Sequence, residues 1–170
     1  MADRITRRHS DGGRRSTAVF SRCGVYRYAL TREWGQGRRI AFVMLNPSVA
    51  DHRRNDPTIA RCESRARDLG ATGYRIVNLF AFRATYPQEL RGAADPVGPG
   101  NDATIRRAAA WADLVICAWG ADGALLDRGA EVARMLRRDG YRLCHFGLTK
   151  NGAPRHPLYL PRALQPSFWD

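Results

Sequence analysis

The sequence predicts an α/β fold, a three-layer α/β/α domain around a central parallel sheet of about four strands. Four short apolar segments have the composition of strands, and helical segments of about 10–14 residues separate them. Strands that alternate with helices form right-handed βαβ units, which place helices on both faces of a parallel sheet. The length of 170 residues suits a single domain of this kind.

The N-terminal segment is strongly basic and lacks the apolar centre of a signal peptide. We therefore predict a disordered basic arm over residues 1–18 and a single α/β domain over residues 19–170. Where the arm meets the domain, residues 16–20 and 26–30 alternate apolar and polar side chains on either side of Cys23-Gly24. This pattern predicts a β-hairpin.

The predicted strands and helices follow one another along the rest of the chain. Asp56 and Pro57 are typical of a helix start, and Gly70 is typical of a helix end. The tail from residue 148 onward contains four of the nine prolines, so we expect it to be mostly irregular. The predicted elements are strand 39–45, helix 57–69, strand 75–80, helix 103–112, strand 114–119, helix 125–138 and strand 142–146.

Charge points to the kind of partner. The 28 Lys and Arg residues exceed the 16 Asp and Glu residues, which gives a net charge of +12. Lys150 is the only lysine, and arginine suits phosphate geometry, although a GC-rich coding sequence would also favour arginine. The excess of positive charge predicts that the partner is a nucleic acid, and we favour DNA over RNA. We expect the protein to be a monomer. We also expect that it does not enter a membrane, because no apolar run approaches about 18 residues.

The cysteines give no sign of a metal site. None of the four stands in the paired spacing that binds zinc, and three of them lie in apolar patterns. Buried, reduced cysteines are typical of a cytoplasmic protein. We therefore predict a cytoplasmic location, no metal and no cofactor.

Polar residues stand at the ends of all the predicted parallel strands. Asn46-Pro47 follows the first strand, Asn78 lies near the end of the second, and Trp119-Gly120 closes the third; His156 follows the fourth, in the tail. Open α/β sheets bind ligands at this edge. Each residue also has a plainer interpretation: Asn46 can start a turn, Asn78 can tie down a loop, and His156 can be a surface histidine.

These motifs resemble two groups of proteins. The segments LNPSVAD, NDPT, VNLFAFRAT, DPVGPGND, WG and TKNGAPRHPLYLP resemble a bacterial and phage family of unknown function over nearly the whole chain. The order of Asn-Pro, strand Asn, Trp-Gly and His-Pro on successive strands is similar to the uracil-DNA glycosylase superfamily. That resemblance implies hydrolysis of the bond between a base and its sugar in DNA, without an iron–sulfur cluster because its cysteine ligands are not matched.

The resemblance also implies roles for individual residues. Asn46 corresponds to the residue that positions water, Asn78 to the residue that reads the base, and His156 to the histidine that stabilises the leaving base. Pro47 and Ser48 complete the first motif, and the residue at the position of Ser48 packs near the base. Trp119 and Gly120 would help to line the same cleft, and Arg83 lies in a segment that several branches share.

Further candidates come from the chemistry that the resemblance implies. Asp51 is the carboxylate nearest to Asn46 outside the predicted helix cap, so we expect it to share the proton of the water. Lys150 and Arg155 could neutralise phosphates, and the apolar tail residues 158–160 could fill the space that a flipped base leaves. Two alternatives stay open: a nucleic-acid-binding module without catalysis, and a hydrolase of a free nucleotide or nucleoside. No Gly-rich phosphate-binding loop supports an ATPase.

Overall fold

A computed structural model of the protein describes residues 3–170, which form an α/β fold around one eight-stranded mixed sheet. The strands are β1 (Arg4–Asp11), β2 (Arg14–Ser21), β3 (Arg27–Glu33), β4 (Arg39–Met44), β5 (Gly73–Asn78), β6 (Leu114–Cys117), β7 (Leu143–His145) and β8 (Ser167–Phe168). Their order across the sheet is β1-β2-β3-β5-β4-β6-β7-β8. The helices are α1 (Pro57–Asp68), α2 (Pro87–Gly92), α3 (Asn101–Trp111) and α4 (Arg128–Arg138), with 3-10 turns at Ala121–Asp127 and Pro157–Tyr159.

The centre of the sheet is parallel. β4 pairs in parallel with both β5 and β6, and β6 pairs in parallel with β7. These four strands correspond to the four strands that the sequence predicts. The predicted sheet of about four strands nevertheless has too few strands. β1, β2 and β3 extend one side of the sheet in antiparallel pairing, and β8 extends the other side.

The N-terminal segment is not the disordered arm that we predicted for residues 1–18. β1 and β2 form a hairpin in which Asp11 pairs with Arg14 across a two-residue turn. Gly12 and Gly13 both have positive φ, +53° and +80°, as the twist of a tight hairpin requires. Strand pairing uses backbone groups, so the exposed arginines of β1 do not prevent it. Met1 and Ala2, also part of the predicted arm, lie outside the described residues.

Both faces of the sheet carry helices. Ile40, Phe42 and Met44 of β4 belong to a core cluster that includes α1. Ala41 and Val43, which point to the other face, belong to a second cluster that includes α3 and α4. The predicted hairpin at residues 16–30 is confirmed as the antiparallel pair of β2 and β3.

The C-terminal tail is mostly irregular, as predicted, but it is tied to the core. The buried side chain of Arg65 donates to the main-chain oxygens of Leu160, Pro161 and Leu164 at 3.0–3.2 Å. Its guanidinium also lies 4.3 Å from the centre of the Phe146 ring. These contacts hold the segment that follows His156 against α1.

Candidate functional site

A small cavity of about 110 Å³ lies at the carboxyl ends of β4 and β5. The residues that follow parallel strands meet at this edge, and β3 begins here because it runs antiparallel to β5. The cavity therefore collects side chains from distant parts of the sequence. Its polar residues are Arg27, Asn46, Ser48, Asp56, Thr58, Asn78 and His156.

Asn46 is held in one orientation. Its Nδ2 donates to the main-chain oxygens of Pro47 at 3.0 Å and of Ala84 at 2.8 Å. Because two carbonyls fix the donor side of the amide, Oδ1 must point the other way and is an acceptor. Pro47 is buried, and its own oxygen accepts the N–H of Ala84 at 2.9 Å. The turn interpretation of Asn-Pro and a role for Oδ1 in the cavity are therefore compatible.

Asn78 is the last residue of β5 and is only 1% exposed. Its main-chain oxygen accepts a hydrogen bond from Asn101 at 2.9 Å, but its side-chain Nδ2 has no partner within residues 3–170. A buried amide without a partner costs roughly 1–3 kcal/mol. A ligand with an acceptor atom in this cavity would remove that cost.

His156 follows β7 in the tail, before the 3-10 turn at Pro157–Tyr159. Its Nδ1 accepts the main-chain N–H of Leu158 at 3.3 Å, so the neutral ring carries its hydrogen on Nε2. Burial lowers the pKa of His156 below its usual value, against an opposing effect of the Asp56 carboxylate. The imidazole is therefore a neutral donor at neutral pH.

Two charged residues of the cavity were not among the predicted site residues. Asp56 caps α1, as predicted, by accepting the N–H of Ile59 at Oδ1 at 2.9 Å, and it also lines the cavity. Arg27, 1% exposed, donates to the oxygen of Ala50 at 2.6 Å, and its Nε has no partner in the described part of the chain. Burial lowers the pKa of Arg27 to about 10, which leaves it charged at neutral pH.

The sequence carried a signal for each of these two residues. Arg27 stands directly before the apolar run Tyr28–Leu30 of a predicted strand, and a charge that is buried in a strand is expensive unless it has a function or a partner. Asp56 belongs to the NDPT segment, which stands close behind the Asn-Pro turn. Capping uses only one oxygen of the Asp56 carboxylate, so the second oxygen is free for other use.

Asp51 does not lie in this cavity, contrary to our expectation. Its Oδ1 accepts the N–H groups of Arg53 at 2.7 Å and Arg54 at 2.9 Å, which closes a turn. It lines a separate hollow together with Arg83, whose Nη1 donates to the oxygen of Gly24 at 3.1 Å. Its closeness to Asn46 in the sequence therefore did not bring Asp51 into the lining of the small cavity.

Trp119 and Gly120 are also not among the residues that line the small cavity. Trp119 lines a second cavity of about 230 Å³ and meets Trp169 edge to face, with 5.7 Å between ring centres. Gly120 has a φ of +75° and backs onto His156: a side-chain carbon there would lie 3.6 Å from the His156 Cβ. Of the predicted residues, the structure brings Asn46, Ser48, Asn78 and His156 into one cavity.

Exposed cations surround this edge of the sheet. They lie on the loops that follow β4, β5 and β7, and among the described residues none of them forms an ion pair. A charge without an ion-pair partner is not neutralised locally, so it attracts an anion, less strongly as the salt concentration rises. The cations are Arg53, Arg54, Arg83, Lys150 and Arg155.

These features define an α/β protein with a polar cavity at the carboxyl edge of its parallel strands. The chain belongs to the family described as protein of unknown function (DUF1643), whose model matches residues 27–158. The matched segment contains every polar residue of the cavity. Comparison of the chain with curated proteins and with solved structures gave no match.

The family match confirms the predicted resemblance to a family of unknown function, and the resemblance to glycosylases stays a prediction. Between residues 3 and 170, no group of three or more His, Cys, Asp or Glu side chains is placed to hold a metal ion. None of the helices in the same range has the length and apolar character needed to cross a bilayer.

Proposed function

We propose that this protein hydrolyses the N-glycosidic bond of a damaged or modified base in DNA. One observation carries the proposal: an acceptor (Asn46 Oδ1), an unpartnered buried donor (Asn78 Nδ2) and a neutral imidazole (His156) line one small cavity. Fixed polar groups around a concave site are the usual starting point for an active-site assignment.

The reaction breaks the bond between the sugar and the base and adds water to the sugar carbon. Positive charge develops on the sugar, and the base leaves with the bonding electron pair. The Nε2–H of His156 would donate to the departing base, where negative charge accumulates. Asn46 Oδ1 would orient the attacking water.

Asp56 takes the place that we expected for Asp51. Its Oδ1 holds the N-terminus of α1, and Oδ2 accepts no hydrogen bond within the described residues. A fixed carboxylate in the cavity can accept the proton of the water as it attacks, which the neutral Asn46 cannot do. The proton balance closes when the base anion, held by the His156 Nε2–H, takes a proton from solvent and Asp56 releases the proton of the water to solvent.

The small volume of the cavity fits a single base rather than a whole nucleotide. A base in a duplex must leave the stack to enter such a site, and the exposed cations on the surrounding loops would hold the backbone meanwhile. Asn78 would read the edge of the base, because its unpaired donor favours a base that offers an acceptor there.

The test is a panel of oligonucleotides, each with one damaged or modified base, incubated with the protein and assayed for abasic sites. Free nucleosides with the same bases are assayed in parallel for base release. We expect at least one oligonucleotide to yield abasic sites, and the Asn78→Ala variant to discriminate less between bases. Release from nucleosides alone would indicate a nucleoside hydrolase, and binding without any release would indicate a nucleic-acid-binding module.

A further inference from the structure

A second cavity lies beside the candidate site, and the proposed chemistry does not use it. Its volume of about 230 Å³ is roughly twice that of the first cavity. Two indole rings, Trp119 and Trp169, form one part of its wall, and their planes meet at 60°. The 3-10 turn at Ala121–Asp127, the start of α4 and the loop 149–154 form the rest.

The pyrrole edge of Trp119 is kept free of other side chains. Trp119 is only 3% exposed, and its indole N–H takes part in no hydrogen bond within residues 3–170. Gly129 packs against it so closely that a side-chain carbon there would lie 2.8 Å from Nε1, and one at Gly123 would overlap the ring. A buried indole N–H normally finds a partner, and that of Trp119 forms no hydrogen bond within the described residues.

The same wall offers further donors. α4 begins after Asp127, whose side chain makes no capping bond to the helix and instead pairs with Arg134 at 3.4 Å. Gly129 and Ala130, in the first turn of α4, line the cavity, and no side chain caps that turn. The cavity combines flat apolar rings with hydrogen-bond donors at their edge.

The two cavities are adjacent to each other. Gly120, which follows Trp119, donates its N–H to the oxygen of Pro154 at 2.8 Å and packs against His156. Residues 154–156 therefore separate the two cavities: His156 lines the first cavity, and Pro154 lines the second. Two ligands bound in these places could belong to adjacent units of one polymer.

We propose that the second cavity binds an unpaired nucleobase next to the base held in the candidate site. This inference rests on the proposed function, because it assumes a nucleic acid in the first cavity. A base has a flat face that packs on indole rings and edge oxygens or nitrogens that accept from Trp119 and from the start of α4. The binding would tolerate different sequences, because every base has such a face.

The experiment measures affinity by fluorescence anisotropy, with two labelled single strands of eleven units. One carries thymine at every unit, and the other has the same backbone with every base absent. Ala130→Phe fills the cavity from an exposed helical position, and Ala110→Phe makes the same change on the exposed face of α3, away from both cavities. Trp169→Leu removes one wall of the cavity as a second variant.

We expect Ala130→Phe and Trp169→Leu to weaken binding of the thymine strand by about 5- to 150-fold, the scale of one stacked base. Both should bind the base-free strand like the original protein, and Ala110→Phe should change neither affinity. Equal affinity of Ala130→Phe and the original protein for the thymine strand would overturn the inference and leave the proposed function standing. If the original protein bound neither strand, the nucleic-acid partner itself would be wrong.

Discussion

Asn46 donates to the main-chain oxygen of Ala84 at 2.8 Å, and this bond joins the loop after β4 to the loop after β5. The same Nδ2 donates to Pro47, so both bonds depend on an amide rather than a carboxylate at this position. The orientation of the amide oxygen in the cavity is therefore a consequence of loop structure. Position 46 contributes to stability and to the site at once.

Asn46→Asp should destabilise the protein by roughly 1–3 kcal/mol at neutral pH, because it places a carboxylate oxygen against two carbonyl oxygens. Chemical denaturation measures the change. Asn151→Asp, on an exposed loop, is the matched control and should have little effect. A stability of Asn46→Asp equal to that of the original protein would show that the two carbonyls do not fix the amide.

The Asp56→Asn variant distinguishes the role of Asp56 as a helix cap from its proposed role in catalysis. Asparagine caps a helix as well as aspartate does, so the free energy of unfolding should change little. The rate of base release should fall by about 10²–10⁴-fold, the usual contribution of a general base. Asp51→Asn, in the turn outside the cavity, is the control and should keep the rate. A larger loss of rate in Asp51→Asn than in Asp56→Asn would indicate that Asp51, and not Asp56, accepts the proton of the water.

Ser48 lines the small cavity and is the smallest of its polar side chains. The cavity should therefore accept a base larger than uracil, such as a 5-substituted pyrimidine or a deaminated purine. Ser48→Tyr should lose activity on such bases while it keeps activity on uracil. Equal losses on small and large bases would show that position 48 does not select by size.

Acidification should destabilise the protein partly through His156. Burial lowers the pKa of this side chain below 6.5 in the folded state, so the unfolded chain binds the proton more readily. Stability should be full above the unfolded pKa of about 6.5 and decrease as the pH falls below it. His156→Gln should show a flatter dependence of unfolding free energy on pH over this window. Identical slopes would mean that His156 is not buried as a neutral group.

Regular patterns made much of the fold predictable. Alternation of strands and helices predicts the parallel centre, and the Asp56-Pro57 pair predicts the start of α1. β1 was missed because its residues are mostly exposed and charged, although Asp11-Gly12-Gly13 is a turn sequence that favours a tight hairpin. β8 has two residues, too few for any periodic signal.

The site was predictable where it depends on strand ends and not where it depends on loop paths. Asn46, Asn78 and His156 follow parallel strands, so topology alone brings them to one edge. Asp51 lies within a turn whose direction is set by its own bonds to Arg53 and Arg54. Arg27 reaches the cavity because β3 is antiparallel to β5, a pairing that the local sequence does not specify.

The most direct test compares binding and base release for one variant on one substrate. With the best oligonucleotide from the panel, single-turnover release and affinity are measured for the original protein, His156→Ala and the control His9→Ala. We predict that His156→Ala releases the base roughly 10²–10³ times more slowly, the scale of losing one oxyanion-type donor, and binds DNA almost unchanged. If His156→Ala lost affinity while no substrate released a base with any of these proteins, the cavity would read bases without hydrolysing them.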